Sequence, residues 1–368
     1  MIKLLYKKDW ENTKKKFTEY WNLENHDRPL VAITGIKDGY IPKKIAQPES
    51  LAERWTDTEY VIKSAREEFS SQFYGAEAFP NLCPNLGPDI LGAILGDDME
   101  FGINTSWSKH TMHDWENASF RFDPENKWWK KIKEMTTEIT NDACGDYLVG
   151  ITDLHPGADA LVSLRGPENL SCDLYDCPEK IKPAIFEIAE VLKSVYDELY
   201  NITVKKQQGS TNWMGVWHPG KWYVTSCDFI GMISRDMFRE FILDELNMEI
   251  DWLDASIFHL DGPGALKHLD DLLAIPKLKG IQWVYGAGQP TASHWIPVLK
   301  KIQDSGKLIH ISAQPGDLDV LLEQLRPEGL FLSISPMVNN ISGTKYFTEE
   351  QAKDILKIIE SFHHRKVF

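Results

Sequence analysis

Ala255-Ser-Ile-Phe-His-Leu-Asp-Gly-Pro-Gly-Ala265 is the stretch on which the reading of the fold turns. It opens on an apolar run that reads as a buried strand. It closes on a Gly-Pro-Gly turn, and Leu266-Lys-His-Leu-Asp-Asp-Leu-Leu273 then has the pattern of a helix. His259 and Asp261 are two residues apart, so on a strand they share one face. In parallel α/β folds the residues that follow a strand line the working site.

The same alternation extends in both directions. Strand-like runs fall at 30–34, 147–154, 209–217, 280–285, 308–312 and 330–334. Helix-like runs fall at 178–199, 234–253, 293–305, 317–325 and 349–361. Ser234 is placed to cap one helix, Thr348-Glu-Glu-Gln351 to form a capping box for the last, and Asp176 with Glu179 a third. Strands separated by helices of this length pair in parallel through right-handed crossovers. Six or seven such units favour a (β/α)8 TIM barrel, as a single α/β domain over 1–368, rather than an open sheet. Residues 35–145, rich in Trp, Pro and Asn, read as an N-terminal helical elaboration over one barrel end.

Composition excludes several partners. There are 40 Lys+Arg against 55 Asp+Glu, a formal charge of −15, with no basic stripe, so nucleic acid is not expected. No apolar run approaches the ~18 residues that a membrane span needs. The apolar run at the N-terminus is too short for a signal peptide. The five cysteines contain no Cys-x-x-Cys and read as reduced thiols of a cytoplasmic protein.

The strand ends gather the candidate chemistry. They carry Asp153, His155 and Arg165, then Trp217 and His218, then Asp228 in the loop before the 234–253 helix. His259 and Asp261 follow, then Gln282, Trp283 and Tyr285, then His310 and Gln314. Imidazoles and carboxylates in this number suit metal binding or acid–base work. Each also has a structural reading. A strand-end His is often a hydrogen-bonded framework residue, His310 lies inside its strand, and Trp217 and Trp283, like Trp213 in a short β-like run, are suited to rim packing. Gly262-Pro-Gly-Ala lacks phosphate-loop spacing and reads as a tight turn. Neither a Gly-x-Ser-x-Gly elbow nor a His-Glu-x-x-His motif is present.

Taken together, several motifs resemble the uroporphyrinogen decarboxylase superfamily. They are Asp27-Arg-Pro-Leu-Val31, Gly87-Pro-Asp-Ile-Leu-Gly-Ala-Ile-Leu-Gly96 with Met99-Glu-Phe-Gly102, Asp228-Phe-Ile-Gly-Met-Ile-Ser-Arg-Asp-Met-Phe-Arg-Glu-Phe241, and Ile257-Phe-His-Leu-Asp-Gly262. The resemblance spans nearly the whole chain. It implies a (β/α)8 barrel with its cleft at the C-terminal mouth. One branch of that superfamily decarboxylates uroporphyrinogen without a cofactor. The other moves methyl groups to or from corrinoid proteins, often with zinc.

The chain departs from both branches. It has nine arginines, with only Arg165 among the strand-end residues and only Arg28 in the N-terminal 27–36 segment, whereas a poly-acid substrate needs several cations. The thiol-methylating members carry His-x-Cys and a later Cys, but here Asp261 takes the first Cys position and no Cys follows Cys227. The resemblance therefore implies a methyltransferase acting on a small methylated substrate with a corrinoid (cobalamin), free or on a partner protein. Zinc would sit on a harder ligand set of His259, Asp261 and His218. His259, Asp261, Asp228 and Asp153 are the expected catalytic groups. Trp217, Trp283, Tyr285, Gln282, His155, Arg165 and Gln314 are expected to line the substrate site. The family also implies a homodimer. A cofactor-free decarboxylase and a non-catalytic small-molecule-binding barrel are the alternatives.

Overall fold

The computed structural model describes residues 4–336 and 346–366. Its strands are β1 (Leu30–Ile36), β2 (Gln72–Ala76), β3 (Asn81–Leu82), β4 (Met99–Phe101), β5 (Ser106–Ser108), β6 (Leu148–Val149), β7 (Trp222–Ser226), β8 (Ala255–Asp261), β9 (Gly280–Val284), β10 (Leu308–Ala313), β11 (Leu330–Ile334) and β12 (Phe347–Thr348). The helices used below are α1 (Trp10–Trp21), α2 (Leu51–Thr56), α3 (Thr58–Ser71), α4 (Ile90–Ile94), α5 (Lys127–Ala143), α6 (Gly157–Arg165), α7 (Pro167–Asp176) and α8 (Pro178–Thr203).

The principal sheet runs β12-β1-β11-β10-β9-β8-β7, all parallel, with β2 added antiparallel to β1. A second short arc pairs β3 with β6 in parallel and continues through a bridge from Ile151 to Asn212. The fold is therefore a mixed α/β arrangement on a parallel sheet. A closed eight-stranded ring is not traced. Among the described residues no ladder joins β7 to residue 212, or β2 to β3.

Residues 35–145 are largely helical in their regular structure and also carry strands. They hold α2 to α5 but also β2, which extends the main sheet, and the β4–β5 hairpin. The expected strand at 209–217 is reduced to isolated bridges, and the strand actually built begins at Trp222.

Register shows which side chains face inward. Ser226, His259, Gln282, His310, Phe331 and Leu30 are successive register partners from β7 to β1. They share a face, because partners in adjacent strands point the same way. Phe331 and Leu30 belong to an apolar cluster with Val224, Ile257 and Leu308 one step below, and with Trp10, Phe17, Tyr20 and Trp21 of α1. Phe17 and Tyr20 both set their rings against Phe331. Helix α1 thus plugs the N-terminal end of this inner face. Leu260 and Trp283 belong to the other face, in the larger cluster that joins the sheet to its helices.

Local chemistry fixes the ends of the elements. Ser50 and Glu53 make a reciprocal capping box for α2, and Thr348 with Gln351 does the same for the last helix, Glu349–Lys366. Ser234 accepts from the Met237 N–H at 3.2 Å, as expected. The helix it starts is interrupted by a π turn over Phe238–Ile242 before Leu243–Trp252 resumes. Asp176 makes no cap. It ends α7, and α8 starts after Cys177.

Candidate functional site

The C-terminal ends of β7, β8 and β9 carry polar groups that the plugged end lacks. His259, on the inner face of β8, contacts Gln282 on β9, with Nδ1 to Oε1 at 2.6 Å. An amide oxygen only accepts, so Nδ1 is the protonated nitrogen. That leaves Nε2 directed at Asp228, whose Oδ1 is 3.8 Å away. Asp228 opens the turn Asp228–Met232 just after β7. Asp261 is one step up the same face of β8. Ligand atoms of Asp228, His259 and Asp261 lie within 4.8 Å of one another. Burial and then Asp228 push the Asp261 carboxyl above its ordinary range. Trp213 sets its ring edge-on to His259, with centroids 5.5 Å apart.

A second cluster shares Asp228. His155 follows β6 and has a carboxylate at each ring nitrogen, Asp153 at 3.4 Å from Nε2 and Asp159 at 3.6 Å from Nδ1. Burial disfavours its charge, but Asp153, Asp159 and Asp228 outweigh burial, and its pKa is raised to about 10. Asp159, the third residue of α6, accepts the N–H groups of Asp228 at 2.8 Å and Phe229 at 3.0 Å. Burial and then Asp228 raise its pKa.

Beside these clusters lies a cleft of about 290 Å³, lined by Asp261, Gln282, Trp283, Val284, Tyr285, Gly286, Ala287 and Ser312. It is at the small end of ligand pockets. A larger hollow of about 760 Å³ lies elsewhere, between residues 43–48 and α3. Its Arg66 is committed to Asp142 and Asp146, and its Lys63 to Glu59, so it carries no comparable chemistry.

The fold is similar to that of a methyltransferase from Methanosarcina mazei. The superposition has a TM-score of 0.61 at 13% identity and covers 95% of this chain and 98% of that one. At that identity the likeness is one of fold. No protein-family model matches the chain, and no curated protein matches it.

The structure brings together Asp153, His155, Asp228, His259, Asp261 and Gln282, with Tyr285 at the cleft. Other expected residues lie apart. His218 and Trp217 precede β7 rather than follow it, so they sit at its N-terminal end. Trp217 packs on Trp10 of α1, and His218 on Trp21. His218 Nδ1 accepts the Gly220 N–H at 3.0 Å, and burial lowers its pKa. It therefore shares no ligand position with His259. Trp283, by contrast, lines the cleft, with its ring buried against Trp295. Arg165 ends α6 and pairs with Asp173 at 2.7 Å, its remaining donors going to the carbonyls of Met112 and His113. Gln314 starts the turn after β10, its N–H donating to Asp317 at 2.9 Å, and lies outside the cleft lining.

His310 is buried in the inner row and bonds Ser333 at 2.9 Å. Burial, with His259 adding to it, lowers its pKa to about 3, so it is a neutral framework residue. Sequence reasoning missed Asp159 and did not select Trp213. The one signal for Asp159 was an acid in the first turn after Pro156-Gly157, which is also how ordinary helix starts look. The five cysteines are unpaired. Among the described residues no helix is long and apolar enough to cross a membrane.

Proposed function

We propose that this chain is a methyltransferase of the uroporphyrinogen decarboxylase superfamily, moving a methyl group between a small methylated substrate and a corrinoid at the C-terminal ends of β7 to β9. The carrying observation is His259. Gln282 engages its Nδ1, so Nε2 faces Asp228, and ligand atoms of His259, Asp228 and Asp261 converge within 4.8 Å. Two carboxylates this close repel each other, and a cation between them and the imidazole relieves that repulsion. One imidazole nitrogen and two carboxylates form a hard, oxygen-rich set that suits a divalent cation, zinc included. The residues therefore fit a metal, with His259, Asp228 and Asp261 as its holders and no thiolate among them. Such an ion supplies Lewis acidity to the heteroatom that bears the methyl group.

The remaining roles fall to this chain's own side chains. His155, held between Asp153 and Asp159, which raise its pKa to about 10 against burial, stays protonated at neutral pH and is the candidate general acid. The electron pair of the breaking methyl–heteroatom bond stays on that heteroatom, which His155 protonates. Tyr285 and Val284 give the cleft an apolar wall for an uncharged substrate. The cleft is too small for a corrin ring, so a corrinoid would be presented from outside, free or on a partner protein.

The decarboxylase reading lacks its cations. Arg28 is spent on Glu77 at 2.7 Å and Arg165 on Asp173. The test is incubation with cob(I)alamin and a panel of methyl ethers and methylamines. Donor-dependent loss of the cob(I)alamin absorbance, abolished by Asp228→Asn, supports the proposal. No loss with any donor rejects it, and carbon dioxide release from uroporphyrinogen would favour the decarboxylase.

A further inference from the structure

The two clusters meet at Asp228, and what holds Asp228 in place is a carboxylate from a different element. Asp228 and Phe229 begin a short 3-10 turn, and the first N–H groups of such a turn have no partner within it. Both are taken by Asp159. Its Oδ2 accepts from Asp228 at 2.8 Å and its Oδ1 from Phe229 at 3.0 Å. Asp159 is 8% exposed, so these bonds are shielded from water. The same Oδ2 faces His155 Nδ1, and His155 in turn faces Asp153. Asp153, His155 and Asp159 therefore form a connected row from the end of β6 to the backbone of the Asp228 turn. The Asp228 side chain leaves that backbone toward His259.

We infer that Asp159 is a positioning residue: its carboxylate pins the Asp228–Phe229 backbone and so aims Asp228 at His259. This rests on the reading of the mouth as the working site. Asp159 touches neither substrate nor reacting atoms. It acts through Asp228, and His155 keeps it oriented. A carboxylate that accepts two N–H groups has no close substitute. An asparagine offers one acceptor oxygen and turns an NH2 toward the second N–H.

The test compares the unaltered protein with Asp159→Asn and Asp228→Asn, using amide hydrogen exchange and the imidazole NMR signals of 15N-labelled histidine. In Asp159→Asn the amides of residues 228 and 229 exchange about ten- to a hundredfold faster, the range expected when a charge-assisted bond is lost. Asp228→Asn leaves those amides unchanged. Both variants move the His259 Nε2 resonance in the same direction. Methyl transfer by Asp159→Asn loses about tenfold in kcat, with KM held. Unchanged exchange at 228 and 229 overturns the inference. Faster exchange with an unmoved His259 signal also overturns it, because Asp159 would then be a structural cap only. Should Asp159→Asn fail to fold, the unaltered protein decides. Both amides must be protected well beyond random-chain rates, and an unprotected pair overturns the inference. A protein that transfers no methyl group sinks the proposed function, while the exchange and imidazole readouts still decide the role of Asp159.

Discussion

Each end of the β7–β8 pair holds a histidine beside tryptophan, and the two sites behave oppositely. At the N-terminal end His218 lies edge-on to Trp21, 5.0 Å between centroids, and its Nδ1 takes a backbone N–H. Helix α1 covers that end with Trp10, Phe17, Tyr20 and Trp21, so burial pushes the His218 pKa down. The C-terminal end of the inner face is acidic, with Asp228 and Asp261 beside His259. His259 and His155 meet carboxylates instead, and His155 is driven up to about 10. Residue type is the same at both ends. What differs is whether the low-dielectric cover or the acids arrive first, and that depends on which side of the strand a residue falls.

Replacing a lower-end residue should cost stability, and replacing an upper-end residue should cost activity. The largest effect is expected from Trp217→Ala. It empties space in the α1-plugged cluster and should cost about 3–5 kcal/mol in denaturant unfolding, with transfer per folded molecule unchanged. An unmoved midpoint would break the comparison from below. Next, His259→Ala should lower methyl transfer by about a hundredfold or more, in the range of lost general acid–base or metal assistance, with a stability change under about 1 kcal/mol. His218→Ala should do the reverse, and similar activity losses in both would show that the two ends are not distinct.

A third effect comes from Glu245 and Glu249, buried beneath the start of α6. Gly157 has φ +52° there, and any Cβ on it would lie 2.8 Å from the Glu245 carboxylate. Burial raises both pKa values, that of Glu245 to about 7, and Glu245 raises that of Glu249 further. A raised folded-state pKa means that the folded protein holds the proton more tightly. Stability is then full below the unfolded value near 4.5 and is lost as pH rises through about 7. Glu249→Gln keeps a donor for Glu245 without titrating, so it should stabilise by about 2 kcal/mol at pH 8 and by nothing at pH 4. Equal effects at both pH values would remove the acid pair from the account.

The smallest effect separates the two ends by charge alone. Imidazole NMR at pH 8 should find His155 charged and His218 neutral. The stabilisation from His155 is present below its unfolded pKa of about 6.5 and fades as pH rises through about 10. A neutral His155 at pH 8 would blunt the contrast.

Much of this was legible in the sequence, unevenly. The 255–273 stretch reads correctly because an apolar run, a Gly-Pro-Gly turn and an amphipathic run are local signals. His259 and Asp261 were picked out for the same reason, each at a readable strand end, and Asp228 as an acid in the loop before the 234–253 helix. Trp217 and His218 were misplaced because the run at 209–217 looks like a strand. The true strand, Trp222–Ser226, is only five residues long, and the Pro219-Gly220 turn signal before it was not used. Strand alternation sends Gln282 inward and Trp283 toward the helices, yet both border the same cleft. Arg165 was taken for a mouth cation, but its partner Asp173 is on the next helix, a pairing that no local pattern announces. Asp159 acts on a backbone 70 residues away, and such a contact exists only in the folded chain.

The central claim is that the polar end of the strands, and not the plugged end, is where His259, Asp228 and Asp261 hold a cation. Crystals soaked in Co(II) or Zn(II), measured at the metal edge, test it directly. The expected anomalous peak lies about 2.0–2.2 Å from His259 Nε2, with an Asp228 or Asp261 oxygen at a similar distance, and none lies beside His218. A map with no peak at His259, or with one at His218 instead, would contradict the account.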